Sequence, residues 1–151
     1  MGQRQSRGSE AYMRKIDFIF YREKEIREAV YQARLNMTVG GTLRLINSTG
    51  IPDPTATQAV RNLTPLKFVT LSEGEIIEYP ERWLEVIDKT YKYCSTQKDC
   101  RLEVARRRYQ SEDYRKTCRE LNISDTARRR LLELVKIYAA LQAVQLGLIQ
   151  V

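Results

Sequence analysis

The chain has 151 residues, 42% of them hydrophobic, and its 26 Lys or Arg against 19 Asp or Glu give a formal net charge of +7. It contains no histidine, which removes the commonest general base and metal ligand together. A chain of this length fits one ordinary domain or two small helical units that share a core.

The first ten residues are polar and rich in Gly, Ser and Arg, so we expect a disordered tail there and no signal peptide. From about Glu10 to Leu35, apolar residues recur at helical spacing among charges and predict one long amphipathic helix. Val39, Gly40 and Gly41 are expected to end this helix. Its apolar positions are Tyr12, Ile16, Phe20, Ile26, Val30 and Ala33.

The middle of the chain begins with a loop from Asn47 to Asp53, indicated by its Gly, Pro and Asx content. Asp53 is expected to cap a helix that has Pro54 at its first position and ends at Pro65. The next segment, KFVTLSEGEIIEY, has two β-rich runs around a Ser-Glu-Gly turn and predicts a hairpin. The hairpin could be a wing against DNA or a local cap on the core.

Another helix is predicted to begin at Pro80, in the segment PERWLEVIDKTYKYC. Trp83, Leu84, Ile87 and Tyr91 supply its apolar stripe. We interpret Trp83 as a core anchor, because an aromatic residue at helical core spacing is more often packed than free to stack on a base.

The stretch SEDYRKTCRELNISDTARRRL, from Ser111 to Leu131, predicts two short helices joined by a tight turn. Ser111 is expected to cap the first helix. Tyr114, Cys118 and Leu121 would share one of its faces, with the small Cys118 at the helix crossing. Helix-turn-helix units of this kind place the first turns of their second helix in the DNA major groove.

Asn122 is expected to end the first helix in the left-handed conformation, and Ser124 to cap the second, with Ile123 pointing inward. The second helix would bury Ala127, Leu131, Leu134, Val135 and Tyr138. It would expose Thr126, Arg128, Arg129 and Arg130 near its start. An ordinary helical hairpin with solvated arginines is the alternative.

The positive charge is concentrated in the same part of the chain. From Gln97 to Val151 there are twelve basic and seven acidic residues, a net of +5, whereas the first 96 residues have fourteen and twelve, a net of +2. This excess coincides with the predicted helix-turn-helix, where it would neutralise phosphates.

The C-terminal run from Leu131 to Val151 is strongly apolar but is interrupted by Glu133, Lys136, Gln142 and Gln145, so it lacks the span of about 20 apolar residues that crosses a membrane. It predicts a long helix with a wide apolar face that meets the N-terminal helix or a second subunit. One apolar stripe is marked by Leu134, Tyr138, Leu141, Gln145 and Leu148.

The three cysteines, Cys94, Cys100 and Cys118, lack paired CxxC spacing, so we expect reduced thiols in a cytoplasmic protein and no zinc site. An enzyme is not expected either, because metal-dependent nuclease or recombinase chemistry needs clustered carboxylates and no phosphate-binding glycine loop is present. We therefore expect no cofactor. The carboxylates of Asp17, Asp53, Asp88, Asp99 and Asp113 are scattered among predicted caps and exposed helix faces.

Two blocks, GIPDPTATQAV from Gly50 to Val60 and CRELNISDTARRR from Cys118 to Arg130, resemble phage-encoded transcriptional regulators of the RinA and ArpU type. The C-terminal part of those regulators is similar to sigma-factor region 4. The resemblance implies a helical protein that binds promoter DNA and activates a late or packaging gene set of a phage or prophage. It also implies that the recognition helix starts with Ser124, Asp125, Thr126, Arg128 and Arg129.

Taken together, these patterns predict a mainly α-helical bundle with a small β-hairpin and a C-terminal helix-turn-helix continued by a long helix. We expect a tail over residues 1–10, a helical region with the hairpin over 11–96, and the helix-turn-helix with its long helix over 97–151. The first functional hypothesis is a dimeric regulator that binds double-stranded DNA, with Arg128 or Arg129 reading guanine edges. Phosphates would be held by Thr126, Lys116, Arg119 and the cluster Arg106, Arg107 and Arg108.

Two other hypotheses remain open at this point. A small terminase subunit also combines a helix-turn-helix with helical oligomerisation segments, so the chain could be a phage packaging component that recognises DNA as a ring. Alternatively, the N-terminal helix could engage RNA polymerase, with weak DNA contact. For the arginine cluster from Arg106 to Arg108, a solvated helix face has equal weight.

Overall fold

The computed structural model describes residues 3–49 and 65–150, with the side chains of residues 8–37 and 65–150. Within these residues the chain is mainly helical with one small antiparallel hairpin, so the predicted fold class is confirmed. The helices are α1 (Gln3–Tyr21), α2 (Glu23–Thr49), α3 (Pro80–Thr96), α4 (Arg101–Tyr109), α5 (Tyr114–Leu121) and α6 (Asp125–Gln145), and the strands are β1 (Phe68–Thr70) and β2 (Ile76–Glu78).

The chain forms two compact units, one of residues 1–23 with 82–151 and one of residues 24–81. This division differs from the expected boundary between residues 96 and 97, because α1 packs against α4 and α6 of the predicted C-terminal region. The helix-turn-helix therefore has its core completed by residues from the start of the chain.

The larger unit is organised around α6, which packs against α1, α4 and α5. Ile16 and Phe20 of α1 are buried, as their helical spacing predicted, and Ile19 joins them. Aliphatic side chains buried in this way supply most of the favourable free energy of folding. On α6 the fully buried positions include Ala139 and Ala143, whose small side chains let a neighbouring helix approach closely.

Asp17 of α1 links three helices of this unit through hydrogen bonds. Its Oδ1 accepts from the hydroxyl of Tyr109 at 2.9 Å, and its Oδ2 accepts from Nζ of Lys136 at 2.7 Å. Burial, followed by the nearby Asp17 charge, raises the pKa of Tyr109, so this hydroxyl stays a donor. The pairing fixes α1 against α4 and α6.

The smaller unit contains α2 and the hairpin. Phe68 pairs with Glu78, and Thr70 with Ile76, so Val69 and Ile77 between them are opposite each other and both buried. Gly74 supplies the positive φ of 90° in the turn, where a side chain would strain the backbone. The predicted hairpin is confirmed.

Arg34 of α2 is buried within this unit and is held by an acidic partner. Its Nε donates to Oε1 of Glu81 at 2.7 Å, and its guanidinium makes a second contact with the same oxygen. Ser72 in the hairpin turn donates to Glu25 of α2 at 3.2 Å. These two contacts connect α2 to the hairpin turn and to Glu81, which follows the hairpin.

Three expectations about the N-terminal half are wrong. Helix α1 begins at Gln3, inside the stretch expected to be disordered, and the single helix expected to Leu35 is interrupted at Arg22. Helix α2 then continues through Gly40 and Gly41 to Thr49. Each glycine costs a helix only about 1 kcal/mol relative to alanine, which does not end one by itself.

The helix expected from Asp53 to Pro65, and the loop before it from residue 50 onward, lie outside the described residues except for Pro65 itself. The start of α3 at Pro80 is confirmed, and Trp83 and Ile87 of its apolar stripe are buried. Among residues 3–49 and 65–150, no helix is both long and apolar enough to cross a membrane.

Candidate nucleic-acid interface

The chain reverses between α4 and α5 at Ser111, which has a left-handed φ of 60°. The amide of Ser111 donates to the carbonyl of Arg108 and the amide of Glu112 to that of Arg107, both at 3.0 Å. This pattern closes the C-terminal end of α4. The expectation that Ser111 caps α5 is therefore wrong, because its backbone is already committed to ending α4.

Helix α5 is capped by Asp113, whose side chain accepts from the amide of Arg115. The residue at the helix crossing is Thr117, which is 3% exposed, whereas Cys118 and Leu121 are half-buried. The hydroxyl of Thr117 donates to Oε2 of Glu112 at 2.8 Å. The predicted face of Tyr114, Cys118 and Leu121 is therefore wrong: Tyr114 is 44% exposed, and the buried residue of α5 is Thr117, whose hydroxyl has a carboxylate acceptor.

The turn between α5 and α6 has the predicted form. Asn122 is left-handed, with φ 53° and ψ 50°, and this lets the amide of Ile123 return to the carbonyl of Cys118 at 3.0 Å. Ser124 then caps α6, with its hydroxyl accepting from the amide of Ala127 at 3.1 Å. The first helix ends at Asn122, so α5 and α6 are two separate helices and not one continuous helix.

Arg128 lies in the interior of the helix-turn-helix. Its side chain is 9% exposed and donates from Nε and one terminal nitrogen to Oδ1 of Asp125, at 2.9 and 2.7 Å. Its guanidinium carbon lies 5.2 Å from the ring centroid of Tyr114, so it also joins α6 to α5. The expectation that Arg128 is exposed is wrong, because these partners offset the cost of burying its charge.

Asp125 belongs to the same arrangement and faces two arginines. Besides Arg128, it pairs with Nε of Arg129 at 2.9 Å. The hydrogen bond from Arg128 lowers the pKa of Asp125 below its ordinary value, and the charges of both arginines act in the same direction. The spacing of three and four residues on one helix was the sequence signal for these pairs.

The exposed start of α6 presents a hydroxyl and two cations. Thr126, Arg129 and Arg130 are all exposed, and 74% of the Arg129 side chain is accessible. On the preceding helix, Lys116 is 52% exposed and pairs with Oε1 of Glu112 at 3.3 Å, and Arg119 is also exposed. These side chains are all accessible at the surface.

The arginine cluster of α4 splits into three different environments. Arg107 bonds Glu120, pairs with Glu112 at 3.2 Å and approaches Glu103 at 3.5 Å, and the bond to Glu120 raises its pKa. Arg107 therefore links α4 to α5 through its ion pair with Glu120. Arg106 is exposed and lies 5.9 Å from the Tyr91 ring centroid, and Arg108 lies 5.8 Å from that of Tyr21. The cluster therefore does not form one phosphate-binding surface.

The carboxyl-terminal half of α6 carries an exposed apolar stripe. Leu134, Ile137, Leu141 and Val144 are between 37% and 57% exposed and follow each other at spacings of three, four and three. The buried residues of this helix are Arg128, Leu132, Val135, Ala139 and Ala143. The sequence predicted that five residues of this helix are buried, and only Val135 is. The five are Ala127, Leu131, Leu134, Val135 and Tyr138. Leu134 is instead exposed, because the alanine face lies against the other helices.

The cysteines are free thiols, with Cys94 buried and the other two half-buried. Burial raises the pKa of the Cys94 thiol. In residues 3–49 and 65–150, no group of three or more His, Cys, Asp or Glu side chains is placed to hold a metal ion.

Comparison with models of known protein families, with curated proteins and with solved structures found no match to this chain.

Proposed function

We propose that this chain binds double-stranded DNA through α5 and α6 and regulates transcription of phage or prophage genes from the host cytoplasm. One observation carries the proposal: a capped α6 follows a tight left-handed turn and exposes Thr126, Arg129 and Arg130 in its first two turns. Helices that enter the major groove contact bases with these positions. The phage context rests on the resemblance of the blocks Gly50 to Val60 and Cys118 to Arg130.

The proposed contacts follow from exposure. Arg129 reads a base edge, because 74% of its side chain is accessible, against 9% for Arg128, and its fork matches the acceptors of guanine. Thr126, Lys116 and Arg119 hold phosphates on either side. Arg128 acts through position only: Asp125 of the same helix holds its guanidinium, which contacts Tyr114 of α5.

The decisive experiment selects a duplex from a random pool with the full chain and measures affinity by fluorescence anisotropy. Arg129→Ala is expected to lose about 1–3 kcal/mol of discrimination at one base pair. Arg14→Ala is the matched control, because it removes an exposed arginine from α1. Equal discrimination by the two variants would contradict the role of Arg129.

A salt titration separates the phosphate contacts from the base contact. Lys116→Ala is expected to weaken binding to every duplex similarly and to reduce the salt slope by about one counterion. Lys92→Ala, at an exposed position of α3, is the control. An unchanged salt slope for Lys116→Ala would remove this residue from the interface.

We also propose that the protein self-associates through the stripe of Leu134, Ile137, Leu141 and Val144. Spacings of three and four are those of the apolar seam between two paired helices. Two copies would bring two recognition helices to one operator, as dimeric helix-turn-helix proteins require. Leu141→Asp is expected to weaken self-association at least about tenfold, since it places a charge in the seam.

The same stripe favours a second candidate, a phage packaging component, because that role also needs self-association. Light scattering distinguishes the two: a dimer supports the regulator, and a large closed ring supports DNA recognition for packaging. RNA polymerase is a further proposed partner of the regulator. Capture of purified polymerase in the absence of DNA supports that contact, and capture only with DNA contradicts it.

A further inference from the structure

An open concavity of about 410 Å³ lies in the larger unit, at the start of α6 and the end of α4. Four cationic side chains line it and only one acidic side chain does. The cations are Arg108, Arg128, Arg129 and Lys136, and the acid is Glu133. Of these four cations only Arg129 has a proposed role in reading bases, and none is among the proposed phosphate contacts.

Three of these four cations already pair with a carboxylate. Asp125 accepts from both Arg128 and Arg129, and Asp17 accepts from Lys136 at 2.7 Å. Counting these two carboxylates, the lining cations still exceed their carboxylate partners by two, and Glu133 reduces the excess to one. Within the described part of the chain, the concavity therefore keeps a net positive charge.

Arg108 is the cation that lacks an acceptor at a buried atom. Its Nε is buried and has no hydrogen-bond partner within the described part of the chain. Its guanidinium carbon lies 5.8 Å from the ring centroid of Tyr21, which holds the group by its face and offers no acceptor in that contact. Among the described residues no carboxylate pairs with Arg108, so its guanidinium is the lining cation whose charge is left for an anion.

We infer that this concavity binds a phosphate group, with the Arg108 guanidinium as its principal donor. A phosphate presents several charged acceptor oxygens, and arginine matches them with parallel N–H donors. The inference goes beyond the proposed function, because a free phosphorylated molecule satisfies it without DNA. The two sources of the phosphate are such a molecule and a backbone phosphate of a duplex on the neighbouring recognition helix.

Inorganic pyrophosphate is the probe, titrated into the full-length protein and followed by calorimetry and by the Nε–H signals of the arginines in nuclear magnetic resonance spectra. Binding is expected to shift the Arg108 Nε–H signal, because the anion contacts the guanidinium group to which this nitrogen belongs. No heat of binding and an unmoved Arg108 signal at millimolar pyrophosphate would overturn the inference.

Two variants change affinity in opposite directions. Arg108→Gln is expected to weaken pyrophosphate binding about tenfold or more, since it removes a charge-assisted donor. Glu133→Gln is expected to strengthen it about two- to fivefold by removing the only acidic lining residue, which is exposed and so tolerates the change. Glu85→Gln is the matched control, because it makes the same charge change on an exposed part of α3 outside the concavity.

The Glu133→Gln result keeps the test decisive even if Arg108→Gln fails to fold. Equal affinity of Glu133→Gln and Glu85→Gln for pyrophosphate would reduce the binding to general attraction by a basic protein, and the inference would fail. This failure leaves the proposed function untouched, since the discrimination by Arg129→Ala is measured separately.

A competition experiment assigns the source of the phosphate once the site is established. Displacement of pyrophosphate by the selected duplex supports a backbone phosphate as the natural occupant. Simultaneous binding of both supports a free phosphorylated molecule. Either result requires the site that the inference describes.

Discussion

The two halves of α6 differ in which side chains they bury and which they expose. In the amino-terminal half a charged residue, Arg128, is buried, and two further arginines are exposed. In the carboxyl-terminal half the buried residues are small alanines, and the large aliphatic side chains of Ile137 and Leu141 are exposed. One helix thus combines two parts. We call Arg128, Asp125 and Tyr114 the polar joint, and the stretch with Ala139 and Ala143 the alanine segment.

This contrast shows how a single helix can serve two purposes. The polar joint links α6 to α5, since Arg128 is held by Asp125 of its own helix and contacts the ring of Tyr114 on α5. The alanine segment brings α6 close to its neighbours through small side chains and leaves larger ones for another surface. The first half is suited to a polyanion and the second to another helix.

Removing the buried arginine is the strongest way to break the polar joint. Arg128→Ala is expected to lower the free energy of unfolding by about 2–3 kcal/mol, because two hydrogen bonds to a charged acceptor and a ring contact are lost. Arg129→Ala, at the neighbouring exposed position, is expected to stay within about 0.5 kcal/mol of the unmodified chain. Urea unfolding followed by circular dichroism measures both, and equal losses would erase the distinction between the two arginines.

Enlarging a buried alanine tests the closely packed half. Ala139→Leu is expected to destabilise the protein by about 1–3 kcal/mol, since three added carbon atoms must force neighbouring side chains aside. Ala140→Leu, one residue further and only half-buried, is the matched control and is expected to cost less. A well-folded Ala139→Leu of unchanged stability would mean that the alanine face is not closely packed.

Removing the cap sharpens the comparison because it affects one half only. Ser124→Ala is expected to cost about 1 kcal/mol, since the amide of Ala127 loses its acceptor. Hydrogen exchange should accelerate at the amides of residues 125–128 and stay unchanged beyond Ala139. Faster exchange along the whole helix would show that the two halves unfold as one.

The acid dependence that Asp125 contributes is expected to be the smallest effect. The pKa of Asp125 is lowered by Arg128, so the stability that this carboxylate contributes is complete above its ordinary pKa of 3.8 and is lost as the pH falls through its lower value in the folded protein. Arg128→Ala should reduce this loss. Thermal unfolding between pH 5 and about pH 2.5 tests it, and identical acid profiles would contradict the pairing.

Some turns, helix caps and helix starts could be predicted from the sequence. Asn122 in a left-handed turn, Ser124 as a cap and Pro80 at a helix start each depend on a few adjacent residues, and all three are present. The hairpin around Gly74 belongs to the same class. Such features follow from backbone conformation and the nearest hydrogen-bond partners.

Which side chains of α6 are buried depends on tertiary packing and could not be predicted from the sequence. Both sides of α6 are apolar in its second half, so periodicity could not decide between a stripe on Leu134 and Leu141 and one on Ala139 and Ala143. Arg128 was placed outside because a charged residue is rarely buried without partners. Its partner Tyr114 is on another helix, so only the folded chain brings the two together.

The most direct test of the central claim is a titration of the isotope-labelled protein with its selected duplex, followed by amide chemical shifts. We expect the largest changes at Ser124 to Arg130, with smaller ones at Lys116 and Arg119. Changes confined to the hairpin, or to the stripe from Leu134 to Val144, would contradict recognition of DNA by the start of α6. Absence of binding to any duplex at low salt would contradict it as well.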